Sequence, residues 1–276
     1  VIVLDPAYVT YEATRRSAGA EPVRVAPRPD RAFRPDAAAI AAAVGPRTRG
    51  ILLNNPANPT GIAMTAEELA AIAEIARGAD LSVISDEVYG ALTFGRRHVP
   101  IASLPGMAER TVTIGSVSKS HAMTGWRVGW AIGPEAFVGH YERLALAMLY
   151  GIPAFTQAAA TRALERSIEI EPEMAAIYEG RCTLVADLLE GLAGLSVVRP
   201  EAGMFVMLDV RRTGVSSDAF AARLFAEERV SVLDGAAFGP SAAGTVRVSC
   251  AIGEEALAEG CRRIGALADR LARSAA

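Results

Sequence analysis

The sequence of 276 residues lacks several features that mark particular classes of protein. Its three cysteines, Cys182, Cys250 and Cys261, form no CxxC pair and no cysteine–histidine ligand spacing, which argues against a disulfide framework and a structural zinc site. The three histidines are isolated from one another, so the pattern predicts no metal centre. A reducing cytoplasm is the compartment that fits this cysteine usage best.

Long apolar runs and clusters of one charge are also missing. The longest apolar stretches, Ala37–Val44 and Leu144–Tyr150, are far shorter than the ~20 residues of a membrane-spanning helix, so a membrane protein is not expected. The formal net charge is -3 and the arginines are scattered, so nucleic-acid binding is not expected either. With 51% hydrophobic residues, the chain can bury one large core or two modest ones.

Short β-rich segments alternate with longer helical patterns through the first half of the chain. This alternation predicts an α/β fold with a mostly parallel sheet flanked by helices. Thr65 followed by Glu68 forms a capping box, which predicts a helix over Thr65–Arg77. The predicted strands are Val1–Leu4, Val23–Val25, Gly50–Leu53, Leu81–Ser85, Thr111–Gly115 and Val128–Ile132.

The alternation of strands and helices stops at Pro153. A long helix is predicted to run from there past Arg166, and a second helix is predicted to begin at Pro172. The later elements predict a smaller α+β domain, so the chain is divided into a large domain of residues 1–167 and a small C-terminal domain of residues 168–276. The later strands are predicted at Ser196–Arg199, Met204–Asp209, Val230–Leu233 and Thr245–Ser249, with helices over Ser216–Glu228 and from Glu254.

The chain opens directly on an apolar strand, Val1–Leu4, followed by Asp5 and Pro6, with neither an initiator methionine nor a signal peptide before it. A domain that begins inside a strand leaves the backbone hydrogen bonds of its neighbours unaccounted for. We therefore expect that an N-terminal segment of the large domain is missing from this sequence.

Polar motifs follow three of the predicted strands. They are Asn54–Gly61 (NNPANPTG), Ser85–Tyr89 (SDEVY) and Ser116–Lys119 (SVSK), and Arg127 comes eight residues after Lys119. Open α/β sheets bind their ligands at the carboxyl ends of the strands, so these motifs are expected at one site. Each motif alone is also compatible with an ordinary turn, a helix cap or a surface loop.

Together with Arg127, which lies in Thr124–Gly129 (TGWRVG), these three motifs in this order resemble the class I and II aminotransferases of the fold type I pyridoxal 5′-phosphate enzymes, and the resemblance covers essentially the whole chain. It implies a pyridoxal phosphate cofactor and the transfer of an amino group from an L-amino acid to a 2-oxo acid. It also implies a homodimer, because the family shares its sites across subunits.

The resemblance implies a role for each matching residue. Lys119 would carry the cofactor as a Schiff base and then move the substrate proton. Asp86 would pair with the pyridine nitrogen and turn the ring into an electron sink. Tyr89 and Asn58 would donate hydrogen bonds to the phenolic oxygen of the ring, and Asn58 would also contact the substrate.

Ser116 and Arg127 would bind the phosphate group, with assistance from Ser118. Tyr8 would stack on the cofactor ring, and the alternative for Tyr8 is core packing. Arg247, which alternates with apolar residues in Val246–Ser249, would bind the α-carboxylate of the substrate; the alternative is a surface arginine on a strand.

Two finer expectations follow from the resemblance. Pro6 and Pro59 follow polar residues in tight loops, and a cis Asn58–Pro59 bond is predicted. Longer segments are similar to the bacterial arginine–pyruvate transaminases, which implies arginine or another basic amino acid as donor and pyruvate as acceptor. These segments are Tyr8–Ala13, Lys119–Trp126, Met148–Gly151 and Ala237–Ser241.

A substrate guanidinium should need an acidic partner, and Glu12 and Asp234 are the candidates. Two other functions stay open. One is a pyridoxal phosphate lyase or decarboxylase on the same scaffold. The other is a transcription regulator whose aminotransferase-like domain follows a DNA-binding winged helix; the intact Arg247 favours an enzyme.

Overall fold

The computed structural model describes residues 1–28 and 32–275, and its larger sheet places the strand ends that carry the polar motifs side by side. The sheet has six strands in the order β2-β1-β3-β4-β5-β6. Strands β1 to β5 pair in parallel and β6 pairs antiparallel with β5. The strands are β1 (Ile2–Leu4), β2 (Val23–Val25), β3 (Gly50–Asn54), β4 (Ser82–Asp86), β5 (Thr111–Ser116) and β6 (Gly129–Ile132).

Helices connect and cover these strands. The capping box predicted at the start of α3 is present, because the Thr65 hydroxyl accepts from the Glu68 backbone and the Glu68 carboxylate accepts from the Thr65 backbone. The apolar side of α3, with Leu69 and Ile72, is buried against the sheet. The helices are α1 (Thr10–Ser17), α2 (Ala37–Ala42), α3 (Ala66–Gly78), α4 (Val117–Ser120), α5 (Glu135–Leu149) and α6 (Ala154–Leu164).

The rest of the chain forms a second sheet with its own apolar core. This sheet is antiparallel, with the strand order β7-β8-β10-β9. Phe220 and Leu224 pack into its core together with Cys182. The elements are α7 (Ser167–Leu189), β7 (Ser196–Val198), β8 (Phe205–Asp209), α8 (Ser217–Glu228), β9 (Leu233–Asp234), β10 (Thr245–Ser249) and α9 (Glu254–Ala275).

Three predicted boundaries in this second half are wrong. Helix α6 ends at Leu164 rather than past Arg166, and α7 begins at Ser167 with Pro172 inside it. Proline leaves the carbonyl four residues earlier without its helical donor; that carbonyl belongs to Ile168, which is 87% exposed and so open to water. The strand predicted at Val230–Leu233 is reduced to β9, which has two residues and pairs with β10.

Among residues 1–28 and 32–275, no helix is both long and apolar enough to cross a bilayer.

Candidate active site

One cleft, with a volume of about 520 Å³, brings together the nine residues to which the resemblance gives a role in binding the cofactor or the substrate backbone groups. Its floor is formed where β3, β4 and β5 end, and β10 of the second sheet contributes the facing side. A volume of this size suits a cofactor together with a small substrate. The nine residues are Tyr8, Asn58, Asp86, Tyr89, Ser116, Ser118, Lys119, Arg127 and Arg247.

The loop after β3 is tied to the end of β4 by Asn54. Its side-chain oxygen accepts a 2.7 Å hydrogen bond from the Asn58 backbone, and its side-chain nitrogen donates to the Asp86 carbonyl at 3.1 Å. The Asn58–Pro59 bond is cis, as predicted, and the Asp5–Pro6 bond is also cis. These contacts place Asn58 beside Asp86.

The Asp86 carboxylate lies at the end of β4 with neutral hydrogen-bond donors around it. Oδ2 accepts a 2.6 Å bond from the Tyr11 phenol, and Oδ1 lies 3.3 Å from the Val88 backbone nitrogen. Burial raises the pKa of Asp86, while the bonds from Tyr11 and Val88 lower it in part. A desolvated carboxylate of this kind favours a cationic ligand.

Tyr89 is buried, at 5% exposure, and lines the cleft three residues after Asp86. Burial raises the pKa of its phenol, and the nearby Arg247 opposes this in part. The ring of Tyr89 packs edge-on against Phe205, with 5.4 Å between centroids. Tyr89 therefore stays protonated at neutral pH and offers a fixed O–H donor to the cleft.

Lys119 lies on the short helix α4, directly after β5, and is partly buried. Burial lowers the pKa of its ammonium group, and the positive charges of Arg127 and Arg247 lower it further, while Asp86 raises it. These effects favour the neutral amine, which is the nucleophilic form.

The end of the cleft beside α4 carries two hydroxyl groups and a guanidinium. The Ser116 Oγ caps α4 by accepting a 3.0 Å bond from the Ser118 backbone, and it lies 2.9 Å from the Ser118 Oγ. Arg127 is exposed, and its backbone has the left-handed conformation (φ 54). Its guanidinium donates a 2.7 Å hydrogen bond to the Thr124 carbonyl. Hydroxyl and guanidinium donors of this kind match the oxygens of a phosphate.

Arg247 projects from β10 toward the cleft and lies between aromatic side chains. Its Nη1 donates a 2.6 Å bond to the side-chain oxygen of Asn58. Its Cζ lies 5.1 Å from the Phe205 ring centroid and 5.0 Å from the Phe238 ring centroid. The buried Nε has no hydrogen-bond partner within the described part of the chain. Because orphaned buried donors are rare, this arrangement is suited to an incoming carboxylate.

The sequence reasoning missed two residues of the cleft that matter for its geometry. Tyr11 lies three positions after Tyr8, one helical turn along the same segment, and that spacing is the signal that could have revealed it. Phe205 opens β8, next to Met204, and its apolar character gave no signal beyond core packing. Tyr8 is 36% exposed and packs edge-on against Tyr11, with 5.5 Å between centroids.

The two acids suggested as partners for a substrate guanidinium lie outside the residues that line the cleft. Glu12 is already paired with Arg15, Arg16 and Arg24, and the hydrogen bonds from Arg15 and Arg16 lower the pKa of Glu12. Asp234 accepts a 3.1 Å bond from the Ala236 backbone, which is the turn role that a short acid commonly has.

The fold and the contents of this cleft agree with the comparison to known proteins. The family model described as aminotransferase class I and II matches residues 1–264. The chain therefore belongs to this family, whose members are pyridoxal phosphate-dependent transaminases, and it has their fold.

Three relatives show how far the similarity extends. The chain is 51% identical to the arginine–pyruvate transaminase of Pseudomonas aeruginosa over 98% of its own length and 69% of that protein. It is 36% identical to the aspartate aminotransferase of Pyrococcus abyssi, over 96% of the chain and 68% of that protein. The crystal structure of an aromatic aminotransferase from Pyrococcus horikoshii matches with a TM-score of 0.94 at 35% identity, covering 100% of the chain and 74% of that structure.

Proposed function

We propose that this transaminase moves the amino group of arginine, or of another basic L-amino acid, to pyruvate. The 51% identity to the arginine–pyruvate transaminase supports this choice over the aspartate and aromatic aminotransferases, which are 36% and 35% identical. The convergence of Lys119, Asp86 and Arg247 on one cleft is the observation that carries the catalytic part of the proposal.

Lys119 is the proposed anchor of the cofactor through its Nζ atom. The sequence has 28 lysines plus arginines, and Lys119 is the only lysine among them. Arginine cannot replace an amine that must lose its proton, because its pKa is above 12. Lys119 would also act as the base that moves the proton of the substrate Cα, when its own amine is free.

The other cleft residues fit the chemical groups of pyridoxal phosphate. When bound, the cofactor supplies an electron-withdrawing ring that stabilises negative charge at the substrate Cα. Asp86 would hold a proton on the ring nitrogen, and Tyr8 would cover one face of the ring. Tyr89 and Asn58 would donate to the phenolic oxygen.

The phosphate would lie beside α4, where the hydroxyl and guanidinium groups of Ser116, Ser118 and Arg127 line the cleft. Arg247 would bind the α-carboxylate of the substrate through its remaining donors, next to Asn58. A carboxylate fixed at this point holds the Cα of the substrate in place relative to Lys119, and such alignment lowers the barrier to proton transfer.

Chemical trapping with borohydride tests the anchor. Protein loaded with pyridoxal phosphate and then reduced should carry the label at one internal peptide, the one that contains Lys119. The variant Lys119→Arg keeps the positive charge but replaces the amine with a guanidinium, so this peptide should carry no label. Label found at a different peptide, with the Lys119 peptide unlabelled in the unchanged protein, would refute the assignment.

Product analysis tests the reaction class and the substrates. With arginine and pyruvate, the protein should form alanine and the 2-oxo acid of arginine in equal amounts. Ammonia or carbon dioxide as the main product would instead support the lyase or decarboxylase alternative. Faster turnover of aspartate or phenylalanine than of arginine would refute the proposed donor while leaving the transaminase class intact.

We also propose a homodimer. Helix α5 has no buried residue, and the apolar side chains of Leu144, Met148 and Phe155, in α5 and α6, are 58%, 72% and 71% exposed. Exposed apolar clusters commonly mark protein interfaces, and a second copy of this chain is the occupant that the family pattern supports. Light scattering of the purified protein should give twice the mass of the chain, and Met148→Glu should lower it to that of the monomer.

Two further assignments are proposals of the same kind. The division into residues 1–167 and 168–276 is supported by the two separate apolar cores, one around each sheet. A cytoplasmic location is supported by the three cysteines, which are all free and buried.

A further inference from the structure

The carboxylate of Asp5 joins the end of β1 to the turn 235–242, which leads into β10. Its Oδ2 accepts a 2.7 Å hydrogen bond from the Ser241 backbone, and its Oδ1 accepts a 2.8 Å bond from the Arg24 guanidinium. The side chain of Asp5 is only 2% exposed. A buried carboxylate is stable only when it is paired and hydrogen-bonded, so Asp5 and the turn hold each other in place.

The turn is shaped around this carboxylate at Gly239. Its φ is +140, and a Cβ at this position would lie 1.9 Å from the Oδ1 of Asp5, so only glycine fits. The preceding residue is held as well, because the Ala7 backbone donates a 2.9 Å hydrogen bond to the Phe238 carbonyl. The chain directly after β1 therefore holds two residues of the turn, Phe238 and Ser241, by hydrogen bonds.

Phe238, held in this way, lies against the guanidinium of Arg247. The ring is 2% exposed, and its centroid is 5.0 Å from the Arg247 Cζ, within cation–π range. A ring at this distance restricts rotation of the guanidinium and keeps water from one side of it. Neither Phe238 nor Asp5 lines the cleft, so neither side chain is placed to touch a bound substrate, whereas the Arg247 guanidinium that Phe238 contacts does line it.

We propose that Asp5 and Phe238 are positioning residues for the substrate carboxylate, acting as a latch that holds the Arg247 guanidinium in its binding orientation. This inference rests on the proposed role of Arg247. Fixing the guanidinium before the ligand arrives reduces the conformational entropy lost on binding, so the latch contributes to carboxylate affinity. Binding is then expected to weaken when either residue is changed, with little effect on the chemical step.

The test uses 2-methylalanine, a small amino acid that has no Cα hydrogen and so cannot be transaminated. Its dissociation constant is measured from the change in visible absorbance of the cofactor in the loaded protein. Phe238→Leu and Asp5→Ala should each raise this constant roughly tenfold, the effect of about 1.4 kcal/mol. In the double variant, the dissociation constant should be about the same as in the weaker-binding of the two single variants, because both changes act on the same turn.

Two variants serve as matched controls. Phe225→Leu, on α8 with a ring that is 59% exposed, and Asp269→Ala, in an exposed ion pair on α9, should leave the constant unchanged. Steady-state kinetics should show a raised KM for both substrates and a kcat within about twofold of the original in Phe238→Leu. Asp5→Asn keeps an oxygen that can accept from the Ser241 backbone, so it should bind 2-methylalanine more tightly than Asp5→Ala does. It also provides a second variant at this position if Asp5→Ala folds poorly.

The outcomes separate the latch from the function on which it rests. If Arg247→Ala binds 2-methylalanine as tightly as the unchanged protein, the role of Arg247 is wrong. If Arg247→Ala is weakened but Phe238→Leu and Asp5→Ala bind normally, only the latch is wrong. Fully additive effects in the double variant would also overturn it, since they would indicate two independent contributions.

Discussion

The phenol of Tyr11 donates a 2.6 Å hydrogen bond to Oδ2 of Asp86, joining the first turn of α1 to the end of β4. Burial and the neighbouring carboxylate both raise the pKa of Tyr11, so the phenol keeps its proton and acts as a donor. The same bond lowers the pKa of Asp86 against the opposing effect of burial. Tyr11 therefore helps to keep Asp86 ionised, which is the state that a protonated cofactor ring requires.

Tyr11→Phe removes this bond and should reduce kcat/KM roughly tenfold, the effect of losing about 1.5 kcal/mol for a hydrogen bond to a charged group. The variant loses the Tyr11 bond, which lowers the pKa of Asp86, and keeps the burial, which raises it, so the pKa of Asp86 should rise further. As the pH is lowered, the activity that depends on the ionised carboxylate should then be lost at a higher pH than in the unchanged protein. A pH profile of kcat/KM measures this, and an acid limb that stays in place would contradict the assigned role.

Tyr89→Phe should alter the pH at which the visible absorption of the bound cofactor changes. The phenol of Tyr89 is expected to donate to the phenolic oxygen of the ring, and this bond favours the oxyanion. Without it, the pH at which the visible spectrum changes should move upward. Spectrophotometric titration of the loaded protein gives this value, and a value equal to that of the unchanged protein would contradict the role assigned to Tyr89.

Arg247→Lys should weaken the binding of amino acid and 2-oxo acid alike, because a single ammonium group cannot form the paired hydrogen bonds of a guanidinium. We expect a rise in KM of roughly 100-fold for both substrates, equivalent to about 2.7 kcal/mol. Arg262→Lys, in an exposed pair with Glu259, should leave both KM values unchanged. A rise for only one substrate would indicate that Arg247 reads the side chain rather than the shared carboxylate.

Glu201→Ala should destabilise the fold. The Glu201 carboxylate forms ion pairs with Arg34 and Arg96 and accepts a 3.0 Å bond from the Ala63 backbone. Removing it takes the acceptor of the Ala63 backbone N–H and one acceptor from each arginine, although Arg34 keeps its pair with Glu68, and should cost about 1 to 3 kcal/mol in the free energy of unfolding. Urea denaturation measures this loss.

Glu169→Ala, which removes an exposed pair with Arg166, is the control for the stability measurement. It should cost no more than about 1 kcal/mol, because solvent screens such pairs. Equal losses in the two variants would show that the contacts of Glu201 add nothing beyond an ordinary surface pair.

The sequence by itself determined the class of fold and the contents of the cleft. The strand ends at Asn54, Asp86 and Ser116 were predictable because β-rich runs followed by polar motifs are local patterns. The capping box at Thr65 was predictable for the same reason, since the residues involved are three positions apart. Lys119 was predicted as the anchor from its place in the motif Ser116–Lys119, which directly follows a predicted strand.

Only the tertiary structure decided which side chains support those residues. Tyr11 and Asp86 are 75 positions apart, and Asp5 and Ser241 are 236 apart, so their contacts depend on how the two sheets pack and not on any local pattern. The placement of Phe238 against Arg247 depends on the same packing. Local preferences fix strands, caps and turns, whereas contacts between distant segments follow from the burial of whole faces, which a single sequence records only in part.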